Sequence, residues 1–135
     1  MSSGTGPIHW VAPEFFTGHY TEKADVFSLG TLFFAILERD FIELDGKRFY
    51  GAFVKLDPEG KVGLGYAMSR NPNVKVTFSL HTQVTTSQRR VTLDALLYNA
   101  NERPSAGEIY ERVQSARESV KLQANTTQQT SGSCC

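Results

Sequence analysis

Chemistry in a chain of this size needs nucleophiles, metal ligands or paired acids and bases at workable spacing. Here those residue types are sparse. The cysteines, Cys134 and Cys135, are adjacent and terminal. Neighbouring cysteines cannot staple a fold, and two of them do not complete a metal ligand set. They form an exposed, oxidisable end, and a reducing intracellular setting, nucleus or cytoplasm, is expected. His9, His19 and His81 carry no recognisable role and read as structural or exposed. The run Gly60 to Gly65, "GKVGLG", lacks the G-x-G-x-x-G spacing of a phosphate cradle and reads as a turn. No metal site and no catalytic constellation follows from these residues.

Bulk properties narrow the partners. The chain has 135 residues, enough for one domain. Its 14 basic and 14 acidic side chains cancel, which removes the electrostatic case for nucleic acid or an anionic membrane. No apolar run approaches the roughly 18 residues of a bilayer span. The opening "MSSGTGPIHW" has neither a basic nor an apolar signal region. A protein substrate or a regulatory protein is the expected partner.

The elements that must position any site are mainly helical. Ala12 to Phe16 reads as a short helical turn, begun by Pro13 and ended by Gly18. Thr21 is an N-cap, with Glu22 in the first turn where the helix dipole favours an acid. Val26 to Leu37 follows with almost no polar face, which predicts a helix buried on all sides, closed by Glu38 to Asp40. Between 40 and 82, "LDGKRF" and "LDPEGKVG" are turn signals. "GLGYAMSRNP" reads as a short helix ended by Asn71-Pro72. "VKVTFSL", Val74 to Leu80, alternates as a strand or an extended connector would. Leu93, Leu96, Leu97 and Ala100 mark a helix face. Ser105 with Glu108 forms a capping box, and Ile109, Val113, Ala116 and Val120 mark a last helix. From Gln123 the composition is polar and low in complexity, which predicts a disordered tail over 123–135.

Three pieces in chain order resemble the C-terminal lobe of a eukaryotic protein kinase. "APE", Ala12-Pro13-Glu14, resembles the motif that closes the activation segment. "KADVFSLG", Lys23 to Gly30, resembles the family's D-V-W-S-L-G at the start of its central helix, with Phe27 in the Trp place. "NANERPSA", Asn99 to Ala106, resembles N-P-x-x-R-P-[ST]-A, with Ala100 in the Pro place. The likeness spans about residues 6 to 118 and is vague between 40 and 85.

The resemblance implies roles. Glu14 would pair with Arg103, and removing one partner of such a buried pair costs about 3–5 kcal/mol. Asp25 would brace the catalytic loop from the start of the helix that holds Gly30. Pro7, Ile8, His9 and Trp10 would form the loop that receives the residue after the phosphorylated one. Pro7 stands where Ser/Thr kinases usually have Thr, and Pro7-Ile8-His9-Trp10 resembles the tyrosine-kinase pattern. "GHYTEKADVFSLG" is instead similar to nuclear Ser/Thr kinases that bind PDZ-LIM proteins. The separation of Glu14 and Arg103 implies an insert in the vague region.

The family places its Gly-rich loop, strand lysine, αC glutamate, H-R-D loop and D-F-G metal site ahead of Ala-Pro-Glu. The eleven residues before Ala12 hold none of them. The expectation is therefore a partial kinase domain over residues 1–122. Its fold class is mainly α: the large-lobe portion of a kinase-like fold, without the N-lobe β-sheet. This chain would take no cofactor, whereas an intact parent would take MgATP and transfer phosphate to protein Ser/Thr. The missing N-lobe and catalytic-loop segment is itself an expected partner, because its absence leaves apolar surface on the central helix exposed. The alternative expectation is a non-catalytic kinase-like binding, scaffold or decoy module.

Overall fold

The computed structural model describes residues 9–19, 21–79 and 82–132; at 120 and 123–132 it describes the backbone alone. Pro7, Ile8, His81, Cys134 and Cys135 lie outside the described residues.

After extended Ala12, Pro13–Thr17 makes a 3-10 turn. Gly18 ends it at φ 83°, a left-handed conformation that suits a residue without Cβ. Thr21 caps the central helix α1, Glu22–Glu38, accepting from Lys23 N at 3.3 Å. Arg39 closes α1 in the left-handed region at φ 58°, its N–H donating to Ala35 O at 2.9 Å.

Helix α1 runs between two apolar clusters. Phe27 and Phe34 pack with Ala12, Leu64, Val76 and Leu96 on one side. Val26 packs with Val91, Ala95 and Ile109 on the other. Burying Phe27 completely is worth about 2–3 kcal/mol. The expectation of a helix buried all round is corrected here. Ile36 is 62% exposed and Leu32 39%. The two clusters cover two sides of α1, and no described element covers the strip between them.

The vague region holds strands that the turn signals bracketed but did not reveal. β1, Phe41–Leu44, pairs antiparallel with β2, Lys47–Tyr50, in the register Phe41↔Tyr50 and Leu44↔Lys47. Asp45 and Gly46 join them at φ 52° and 77°, the signature of a type I′ hairpin turn. β3, Phe53–Leu56, pairs with β4, Gly60–Gly63, from Phe53↔Gly63 to Leu56↔Gly60. The described architecture is thus four α-helices with two separate two-stranded antiparallel sheets, a mixed α and β fold where a mainly α one was expected.

"GKVGLG" is likewise corrected: the turn is the preceding 57–59, Gly60–Gly63 is β4, and Leu64 opens helix α2, Leu64–Arg70. Its glycines serve close approach. A Cβ at Gly63 would lie 3.3 Å from His9 Cα, and one at Gly65 would collide with Val11 O. Asn71 ends α2 in extended geometry. The alternating stretch from Val74 is a connector without a ladder, and Val74, Val76 and Phe78 turn onto the first cluster.

Helix α3, Thr86–Ala95, carries a complete capping box: Gln88 N donates to Thr85 Oγ1 at 3.1 Å and Thr85 N to Gln88 Oε1 at 2.9 Å. It ends before Leu97 and Ala100, which the periodicity had placed on the same helix face. Helix α4, Ala106–Gly132, starts with Glu108 N donating to Ser105 Oγ at 3.1 Å. Ile109 is buried against α1 and α3, whereas Val113 is 45% exposed. The helix runs on through the polar stretch from Gln123, whose composition had predicted no regular structure. Among the described residues no helix is long and apolar enough to cross a membrane.

Candidate functional site

The most constrained polar constellation surrounds Arg103, which the chain carries into the interior just after the 3-10 turn Ala100–Glu102. Its side chain is fully buried. A buried guanidinium must find partners for five N–H donors, and each finds one. Nη1 donates to Glu14 Oε2 at 2.7 Å and Nη2 to Glu14 Oε1 at 2.8 Å, a bidentate pair across 89 residues. Nη1 also donates to Lys23 O at 2.9 Å, Nη2 to Tyr98 O at 3.0 Å and Nε to Leu97 O at 2.7 Å. The cation lies 5.0 Å from the centroid of the Phe27 ring. Lys23 Nζ donates back to Arg103 O.

One side chain thereby binds three segments: the Pro13–Thr17 turn, the start of α1 and the loop that follows α3. Burial alone would raise the Glu14 pKa, but the bonds and charge of Arg103 outweigh it, and the carboxyl sits below its ordinary value.

The segment before Glu14 is fixed by backbone contacts. Ser28, on α1, donates to Trp10 O at 2.8 Å. Ala12 is buried, and the Val11 carbonyl lies over Gly65. Phe16 meets Tyr66 of α2 edge-on, with ring centroids 5.6 Å apart. His9 sits against both hairpins, its ring 6.1 Å from Phe49 of β2 and 5.8 Å from Phe53 of β3. Its Nε2 is buried with no partner among the described residues, and burial lowers its pKa.

The structure therefore brings Trp10, Ala12, Pro13, Glu14 and Arg103 around the N-terminal half of α1. Asp25 stands in the first turn of α1 on its exposed side, where an acid meets the helix dipole. Gly30 lies at the contact with α3, where an added Cβ would come within 2.8 Å of Ala95 Cβ. Reasoning from sequence missed Lys23, Ser28, Gly63 and Gly65. The glycines were legible as glycines, but close approach and turn formation leave the same letter in a sequence.

Chemically the constellation holds rather than reacts. Its charged groups are committed to each other, and no group of His, Cys, Asp and Glu among the described residues is placed to hold a metal ion. A second surface feature is a groove of about 280 Å3 between α1, α3 and α4, lined by Phe33, Ile36, Leu37, Val91, Val113 and Ala116 among others. A scan against protein-family models found none that matches this chain.

Proposed function

We propose that this chain is the C-terminal part of a protein kinase domain, whose parent transfers phosphate from MgATP to protein Ser/Thr. The observation that carries this reading is the buried bidentate pair of Glu14 and Arg103, with Ala12-Pro13-Glu14 at one end and Arg103-Pro104-Ser105-Ala106 at the other. The kinase resemblance asks for a pair between those two motifs. Pro7 to Trp10 then belongs to the substrate-docking loop, and of these the Ser28 bond ties Trp10 to α1. Phosphoryl transfer needs groups that position ATP, metal and hydroxyl. None of those groups is recognisable in these residues, so the chain by itself binds no ATP.

The test is the native product, captured with an antibody to residues 105–122 and weighed intact. The expected product is about two- to three-fold heavier than 15.0 kDa, within the usual size of one or two domains. It transfers phosphate from MgATP to Ser or Thr of a protein, and Glu14→Ala weakens that activity. A product of 15.0 kDa alone, or a heavier one without transfer, overturns the reading.

A second reading is a non-catalytic binding, scaffold or decoy module. It is favoured by the apolar strip of Leu32 and Ile36 beside the groove. A 15.0 kDa native product that is monomeric and melts cooperatively would support it.

A further inference from the structure

At the end of α1 the chain turns sharply through Arg39 and enters β1. Beside this turn a cleft of about 400 Å3 opens against β3 and the extended connector. Phe34, Phe53 and Val76 form apolar walls, and the rim is charged. Its two carboxylates are already committed. Glu38 accepts from Ser79 N at 3.1 Å and from Thr82 Oγ1. Asp40 accepts from Phe41 N at 3.0 Å and pairs with Lys61.

The cations are not committed. Arg39, Lys55 and Lys75 reach the same cleft from three different elements and are exposed. Among the described residues none of them takes part in an ion pair. The hairpin adds an independent sign. Lys55 stands directly opposite Lys61 in the β3–β4 register. Like charges at that position weaken a hairpin. Asp40 answers the charge of Lys61, and among the described residues no ion pair answers Lys55. Such a conflict between sequence and fold is expected where a surface serves binding rather than stability.

We propose that this cleft binds a phosphoryl group, with Arg39, Lys55 and Lys75 as its donors. Three cations around one concavity exceed what a single carboxylate needs and suit a near-dianionic group with three acceptor oxygens. The chain as a whole is neutral, so general attraction of polyanions does not account for the cluster. The inference does not rest on the kinase reading.

Calorimetric titration of the full chain tests it. The probes are pyrophosphate, a short phosphoserine peptide and its unphosphorylated twin, at matched ionic strength. Saturable one-site binding of the phosphate-bearing probes is expected, with none for the twin. Tighter binding of the peptide assigns the group to a protein; tighter pyrophosphate assigns it to a free phosphate. Lys55→Gln with Lys75→Gln should weaken binding at least tenfold. Arg90→Gln with Arg117→Gln, which line other surface hollows, should leave it unchanged. Lys55→Glu provides a second readout: it removes the like-charge pair, so it should raise the phosphate-free Tm while abolishing binding. Absence of saturable binding, equal weakening by the control pair, or a lower Tm for Lys55→Glu each overturns the proposal.

Discussion

Glu14→Gln is the perturbation that most directly tests how this fold is held. The substitution keeps the shape of the side chain but removes its charge and one of its two acceptors. Arg103, with no exposed side-chain surface, then keeps its bonds to three backbone carbonyls and loses the anion that balances it. An uncompensated buried charge costs about 3–5 kcal/mol. Glu14 retains 14% side-chain exposure, so water can reach the vacated side, and the lower end, about 3 kcal/mol, is expected. Arg103→Ala should reach the upper end, about 5 kcal/mol, because it also orphans carbonyls of Lys23, Leu97 and Tyr98 and leaves a void beside Phe27.

The assay is urea unfolding followed by circular dichroism and by the emission of Trp10, the only tryptophan, whose carbonyl is tied to α1 through Ser28. The double variant should show coupling of about 2–3 kcal/mol between the two sites. Arg103→Lys keeps the charge but loses the planar fork, and should still be destabilised. The pH dependence has a definite sign. The folded pKa of Glu14 lies below its unfolded value, so its stabilisation is complete above the unfolded value and is lost as pH falls through the folded one. That acid-side loss should be smaller in Glu14→Gln. Additive single effects, or an unchanged acid limb, would refute the reasoning.

Three further outcomes are expected. Gly30→Ala places a Cβ 2.8 Å from Ala95 Cβ and 2.9 Å from Leu96 Cδ2, so α1 and α3 must separate, at about 1–3 kcal/mol by urea unfolding. Burial holds the His9 pKa below 6.5, so the stability tied to its neutral form is full above that value and drains as pH falls toward the folded pKa; the urea midpoint of His9→Phe should decline less from pH 7 to 5.5 than that of the native chain. Ile36→Ser with Val113→Ser should lower anilinonaphthalenesulfonate fluorescence by more than half, and each change should move stability by less than about 0.5 kcal/mol, because both side chains are already exposed.

The sequence by itself determined the local punctuation. Pro13 and Gly18 bound a turn, Thr21 and Ser105 start helices, and Asn71-Pro72 stops one, because caps and breakers act through the backbone of their immediate neighbours. It also held Glu14 and Arg103 in motifs that call for a pair, although 89 residues apart nothing local could join them. Tertiary structure decided the rest. The strands on either side of Asp45-Gly46 and of Asp57-Pro58 are four residues each, too short for alternation to speak, and they exist by pairing across their turns. The glycines after Lys61 read as part of a turn, yet they sit where another stretch of backbone leaves no room for a Cβ. The helix that looked buried on every side keeps Ile36 in the open. Apolar residues record only that burial is favourable; which faces are covered depends on neighbours brought from elsewhere in the chain.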